Sequence, residues 1–316
     1  MIGKQQADKR QAPRAIATPL VTSSYLPRSA KSPACTPSLQ RLQWSSMPSA
    51  SAQKTRTVKS SAMSSTLRCF KVLELLAEEP FELSVSDIAD LLSTPRASAH
   101  RLCATLLEGG FVEHVALNKR YKLSSKSLWV GSGYLRHSAV YRAAFFPMQE
   151  LAKQIPGTAQ LGVYSEDTVL FVHSVGYPGS MHAFADVGLR RALHATASGK
   201  LFLADMPLQQ VQQLMSRGVE KFTERTTVSF AGMKEELARV TAQGYAVNDE
   251  ELLPGYLVIA APVLDAKGTT VAAISVTLPA VHSHPGPGAS HVALLCDAAL
   301  RTSLLLGYSP HSSRRS

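Results

Sequence analysis

Ser198 has Lys200 and His194 close by in the chain, and a serine near a base is the minimum for nucleophilic catalysis. Its surroundings argue against that chemistry. The serine is not in a G-x-S-x-G elbow, and Lys200 does not stand at the S-x-x-K spacing. Asp249, Glu250 and Glu251 could offer acid–base work. In an extended segment, however, neighbouring side chains alternate faces, so the three do not converge. They read instead as a solvated turn before Pro254-Gly255. His282, His284 and His291 straddle a Gly/Pro loop with no cysteine or carboxylate partner inside it, which fits a solvated loop better than a metal centre. Nor do Gly199-Lys200 close a phosphate loop, which needs glycine where His194 stands and Ser or Thr where Leu201 stands. The expectation is no catalytic residue, no metal and no cofactor.

Two other places could bind rather than react. The chain from His194 to Lys200 passes from an extended segment into a helix. The N–H groups of Ala197, Ser198 and Gly199 would then point at an anion, aided by the helix dipole and the Ser198 hydroxyl. Ser275 and Thr277 alternate onto one strand face, where they could hold a carboxylate or a hydroxyl. On these residues alone, an N-cap and ordinary strand hydroxyls explain the pattern more simply. The second place follows Pro95. Ala99, Leu102, Cys103, Leu106 and Leu107 form one apolar stripe at helical spacing. Ala97, Arg101 and Ala104 lie opposite, flanked by Ser98, His100 and Thr105. Small residues beside an arginine let a helix approach a major groove while one long donor reaches base edges. A lone helix of this kind would be a solvated face.

Its neighbours change that assessment. From Thr66, apolar positions predict a helix ending before Pro80. Ser86 is the expected N-cap of a second, Asp87–Leu92, and Thr94 the cap of the third, with Pro95 in its first turn and its end at Gly109-Gly110. Phe111–Val115 and Arg120–Leu123 read as strands around a turn at Leu117-Asn118-Lys119. That order is a winged helix-turn-helix, with Lys119, Arg120 and Lys122 suited to phosphates, which position without specifying. The acids Glu74, Glu78, Glu79, Asp87 and Asp90 fall on or beside the first two helices, away from this face.

Ser127–Arg142 predicts a linker helix with more aromatic surface than water tolerates, and a new helix is expected near Pro147. Strands follow at Thr158–Tyr164, Thr168–Val175 and Met181–Asp186, then helices at Gly199–Ala204, Leu208–Met215 and Gly232–Gln243. Further strands at Tyr245–Asn248, Leu257–Leu264 and Thr270–Leu278 precede a last helix, Ala289–Leu305. Strands grouped at both ends with helices between argue for an α+β sheet with flanking helices.

The chain has 316 residues and a net charge of +10, with 45% hydrophobic residues. That suffices for two domains, and no apolar run approaches the ~18 residues of a membrane span. Four scattered cysteines without a CxxC pair support neither a disulfide framework nor a zinc ribbon, and suit a reducing cytoplasm. Charge placement matters more than its sum. Residues 1–62 carry ten basic residues and one acid, whereas residues 63–126 carry eight of each. The Ser/Pro/Ala-rich tail reads as disordered. It resembles a transit segment in composition without a clear cleavage site, and a true start at Met63 or a plain basic arm accounts for it equally.

"LRCFKVLELLAEEP", "LSVSDIADLLSTPRASAHRLCATLLEGGFVEH" and "RYKLS" resemble the DNA-binding domain of IclR-type transcriptional regulators. "GLRRALHATASGKLFLA" and "QGYAVNDEELLPGYLVIAAPVLDAKGTTVAAISVTLPA" resemble the family's effector-binding domain, which is similar to the GAF fold. Together the matches span about residues 66–306, and the tail has no counterpart. The resemblance implies a DNA-reading face of Thr94, Arg96, Ala97, Ser98, His100, Arg101, Thr105, Lys119, Arg120 and Lys122. It also implies a small-molecule pocket at Arg191, Ala197, Ser198, Gly199, Asn248, Val258, Ser275 and Thr277. Three departures stand out. Ala99 replaces a larger β-branched residue, Asn248 a frequent aspartate and Val258 a frequent cysteine; the last two make the pocket less acidic and less reactive. The expected protein is a winged helix-turn-helix at 63–125, a linker helix at 126–142, an effector domain at 143–308 and disordered ends, 1–62 and 309–316. Its expected partners are double-stranded operator DNA, a small organic acid, aromatic acids included, and further copies of itself as homodimer or homotetramer. No membrane is expected. The competing expectation is a metabolite-binding adaptor whose winged helix contacts protein.

Overall fold

The computed structural model describes residues 64–78, 81–176, 187–280 and 288–310. The basic tail, the expected Met181–Asp186 strand, His282 and His284, and residues 311–316 lie outside the described residues.

Helix α1 (Ser65–Leu76) starts where the Ser64 hydroxyl accepts from the Leu67 N–H, and it buries Val72 and Leu76. Helix α2 (Val85–Leu91) is capped by Ser84, not by Ser86 as expected. Only Ser84 has an acid three residues on. Its hydroxyl accepts from the Asp87 N–H at 3.2 Å while the Asp87 carboxylate accepts from the Ser84 N–H at 2.9 Å, a reciprocal capping box. Helix α3 (Arg96–Glu108) also begins differently from expectation. Pro95 is the cap residue, with ψ 142°, and its carbonyl accepts from Ser98 and Ala99. Thr94 does not cap: its Oγ1 is buried with no hydrogen-bond partner among the described residues. Ala99, Leu102, Cys103 and Leu106 are buried as the spacing predicts, but Leu107 is exposed because it falls at the edge of the stripe. Strands β1 (Val112–Val115) and β2 (Arg120–Leu123) pair antiparallel, and the wing is held to the helices by two hydrogen bonds between Leu83 and Tyr121.

The expected linker helix is two helices, α4 (Ser125–His137) and α5 (Ala139–Gln154). Ser138 ends the first and starts the second, its N–H donating to the Tyr134 carbonyl and its hydroxyl accepting from the Tyr141 N–H. Pro147 therefore lies inside α5 rather than at a helix start. It forfeits one backbone bond, which burial of Ala143, Ala144, Met148 and Leu151 on the same helix offsets. Helix α4 buries no residue and leaves Leu128, Trp129, Val130 and Tyr134 exposed.

The C-terminal region is one six-stranded antiparallel sheet. It comprises β3 (Thr158–Ser165), β4 (Thr168–Gly176), β5 (Arg190–Ala192), β6 (Ala246–Asp249), β7 (Tyr256–Leu264) and β8 (Thr270–Pro279), in the order β5-β4-β3-β8-β7-β6. The three-residue β5 was not expected from the sequence. Helices α6 (Ala197–Asp205), α7 (Leu208–Ser216) and α8 (Phe230–Gln243) share a core with one sheet face, and α5 and α9 (Ala289–Leu305) share a core with the other. The expected α+β architecture, a winged helix-turn-helix followed by an antiparallel sheet with flanking helices, is the one observed.

Ser84→Ala should cost the winged helix about 1 kcal/mol, measured by denaturant titration. The Asp87 carboxyl is held below its ordinary range, chiefly by the Ser84 N–H. A depressed carboxylate stabilises above its unfolded value, so this contribution should fade as pH falls through the carboxylate range, and it should largely persist in Ser84→Ala, which removes the hydroxyl but keeps the N–H.

Candidate functional site

The outward face of α3 carries Arg96, Ala97, His100, Arg101 and Thr105 exposed, with Ser98 half-buried. Arg101 Nη2 donates to Ser98 Oγ at 3.3 Å, and Thr105 Oγ1 donates to the Arg101 carbonyl at 3.0 Å. The arginine is thus leaned along the helix by its neighbours. On the wing, Lys119 sits exposed at the turn with φ 57°. Arg120 departs from expectation. It donates to the Glu82 carbonyl at 2.9 Å and lies 3.3 Å from Asp87 of α2, which makes it a brace between wing and helices rather than an open phosphate donor. The acid on α2 is therefore not remote from the basic hairpin. Lys122 pairs across the strands with Glu113 at 3.6 Å, an exposed contact of little energy.

At the other site, Arg191, Ala197, Ser198, Asn248, Val258, Ser275 and Thr277 all line one cavity of about 550 Å³, part of it open to solvent. The register explains how three of them meet. Asn248 faces Val258, Val258 faces Thr277 and Thr277 faces Thr158, a single row crossing β6, β7, β8 and β3. Ser275 lies two residues along β8, on the same face, between Gln160 and Ala260. Helix α6 completes the floor with its first turn. There Thr196 is the N-cap, its hydroxyl accepting from the Gly199 N–H at 3.1 Å. First-turn amides have no intrahelical acceptor, and Ala197 and Ser198, which open α6, both line the cavity.

Gly199 does not line the cavity, contrary to expectation. Its amide is taken by Thr196, and its role is space: an added Cβ would overlap the Leu193 backbone. Asn248 is also committed, its Nδ2 donating to the Ala195 carbonyl and its Oδ1 accepting from the Glu251 N–H at 3.0 Å. An aspartate could not make the first of these bonds, because an ionised carboxylate only accepts. The resemblance also placed the segment Asn248–Val258 against the pocket, and Leu252, Leu253 and Tyr256 of that segment line the cavity; Gln160, Phe171, Leu189 and Thr196 line it too and were missed by sequence reasoning. The available signal was a polar Gln160 inside the apolar run of β3.

The residues weighed for catalysis are engaged elsewhere. His194 Nε2 lies 2.8 Å from the Glu220 carbonyl, which can only accept, so that nitrogen carries the proton. The ring stacks on Phe222, and burial pushes its pKa down. Lys200 is 1% exposed and bonds Glu236, Val247 and Glu251. The expected solvated acidic turn is only partly that. Asp249 and Glu250 pair with Arg225 at 2.6 and 3.4 Å, but Glu251 is buried on Lys200.

A winged helix with an exposed recognition-type helix, followed by a sheet that lines a part-open cavity of mixed apolar and polar side chains, defines a DNA-binding regulator with a ligand-binding domain. Residues 65–116 match the IclR helix-turn-helix domain, and residues 132–304 match the family model for the bacterial transcriptional regulator IclR C-terminal. The chain belongs to the IclR family of transcriptional regulators, a family of non-enzymes. It is 29% identical to the HTH-type transcriptional regulator KdgR of Escherichia coli (strain K12), a match covering 78% of this chain and 94% of the relative. It is 32% identical to the glycerol operon regulatory protein of Streptomyces griseus, covering 76% and 95%. The fold is shared with an IclR homolog from Microbacterium hydrocarbonoxydans complexed with 4-hydroxybenzoate, at 23% identity and a TM-score of 0.66, covering 77% and 99%. Among the described residues, no helix is long and apolar enough to cross a membrane.

Gly199→Ala should destabilise the C-terminal domain by about 1–3 kcal/mol through overpacking against Leu193, seen as a lower thermal midpoint. Operator binding by the intact winged helix should survive at temperatures below that transition.

Proposed function

We propose that this protein binds a pseudo-palindromic operator as a homodimer or homotetramer in the cytoplasm, placing α3 of two copies in successive major grooves. A small aromatic acid in the cavity alters how those copies are spaced. The observation that carries the ligand half is the lining of the cavity. Phe171, Tyr256, Leu189, Leu252, Leu253 and Val258 supply flat apolar walls, while the first turn of α6, Ser275, Thr277 and Arg191 supply polar groups for a carboxylate. The 4-hydroxybenzoate bound to the Microbacterium homolog has that chemistry.

For the DNA half, α3 offers Arg101 among small and polar side chains, with Lys119 at the wing tip, as expected of base and phosphate contacts respectively. The exposed Leu128, Trp129, Val130 and Tyr134 of α4 suit contact with a second copy. A ligand shifts spacing only if it binds one arrangement better than another, and α4 and α5, hinged at Ser138, are the elements that would differ.

Operators selected from a random duplex library provide the test. Arg101→Ala should cost about 1–3 kcal/mol and relax base preference at one position per half-site; uniform weakening across sequences would reassign Arg101 to phosphate. Ser198→Phe should abolish the gel-shift response to an active aromatic acid while leaving operator affinity intact. A retained response would place the ligand elsewhere, and no DNA binding at low salt would favour the adaptor.

A further inference from the structure

Lys200 is a lysine side chain buried to 1% exposure that does not touch the cavity. An ammonium has three protons. Each is used: Nζ lies 2.9 Å from Glu236 Oε1 on α8, 2.8 Å from the Val247 carbonyl on β6 and 2.5 Å from Glu251 Oε1. Glu251 opens the turn that brings Leu252 and Leu253 onto the cavity and leads into Tyr256. Besides Lys200, its inner end is held by the Glu251 N–H on Asn248, by Thr226 Oγ1 donating to the Glu251 carbonyl at 2.6 Å, and by Thr223 Oγ1 donating to the Glu250 and Glu251 carbonyls at 2.8 and 3.3 Å; Lys200 is the one group among these that holds the Glu251 side chain. Glu251 Oε2 is buried with no hydrogen-bond partner among the described residues. Opening the wall would hydrate that oxygen, so the closed wall is opposed by Glu251's own desolvation and favoured by its bond to Lys200.

We propose that Lys200 is the positioning residue of the pocket, latching the wall that carries Leu252, Leu253 and Tyr256 through its bond to Glu251 and so setting how long a ligand stays. This rests on the cavity being the effector site. The competing role for Lys200 is simple counter-charge for two buried carboxylates. The two roles predict opposite results at Glu251. Glu251→Gln and Glu251→Ala both remove the Glu251 charge, but only glutamine keeps an oxygen for the ammonium to donate to, and Glu236 retains Arg239 as well as Lys200. Lys200 remains paired with Glu236 in both, so neither variant strands a charge.

The latch is read first by hydrogen exchange on the full chain without ligand. In Glu251→Ala the amides of residues 250–253, 255 and 256 should exchange on the order of tenfold faster, the scale of one lost hydrogen bond to a charged group, while those of α5 and α9 stay unchanged. Glu251→Gln should match the parent. Lys200→Met should loosen the same segment; should it fail to fold, the glutamate pair decides alone. The second reading is 4-hydroxybenzoate dissociation by stopped flow, expected on the order of tenfold faster in Glu251→Ala with association unchanged. Equal behaviour of the Ala and Gln variants, or exchange that rises across the whole domain, would overturn the latch. Failure of the parent protein to bind 4-hydroxybenzoate or other aromatic acids would instead count against the effector class, and the exchange result would still decide the latch.

Discussion

The C-terminal half of this protein depends on one close approach, that of α6 to the backbone of Leu193. A Cβ at position 199 would forbid it, and glycine stands there. Because the helix can lie this close, Ala197 and Ser198 of its first turn line the cavity, while the next residue but one, Lys200, is driven into the interior. An ammonium in that position is tolerable only when every proton is matched. Glu236, Val247 and Glu251 meet that demand, and their convergence fixes α8, β6 and the turn after β6 around the helix. Asn248 belongs to the same arrangement, tying the Ala195 carbonyl before α6 to the Glu251 amide after β6.

The sheet gives the cavity its second side and connects it to α5. Along β4, Phe171 lines the cavity, whereas Val172 belongs to the core shared with α5 and α9. A bulge opposite Leu161 and Gly162 leaves Val172 without a partner on β3 and shifts the alternation. His173 thereby reaches α5, its ring stacked on Phe145 at 5.6 Å and edge-on to Tyr141 at 5.0 Å. The strand that forms an aromatic wall of the cavity is thus in contact with the helix that follows Ser138. Such contiguity supplies a mechanical connection; the direction of any response is set by which arrangement a ligand prefers.

Charge is informative in this chain only through its placement. The excess of positive residues lies in the first 62, while the winged-helix region is balanced. Within it, the structure sorts the basic side chains by task. Arg120 braces the wing against Glu82 and Asp87, Lys122 pairs across the hairpin, and Arg101 and Lys119 stay on the outside. A count would have treated these four alike.

By itself, the sequence determined the order and kind of nearly every element, because apolar period, caps and turn residues act over a few neighbours. The last helix, Ala289–Leu305, was legible to the residue, and the seven cavity positions carried by the family motifs converge in space. Some local choices still escaped a local reading. Ser84 rather than Ser86 caps α2 because it alone has a reciprocal acid, and Ser138 rather than Pro147 divides the linker because its hydroxyl serves the second helix while its amide closes the first. What only tertiary structure decided is the fate of the polar groups. Glu251 read as part of a solvated turn, and Lys200 was weighed only as a base beside Ser198 and as a phosphate-loop lysine, since their partners lie 51 and 36 residues apart in the chain. Whether a charge is buried depends on what the fold brings to meet it. No pattern of near neighbours records that.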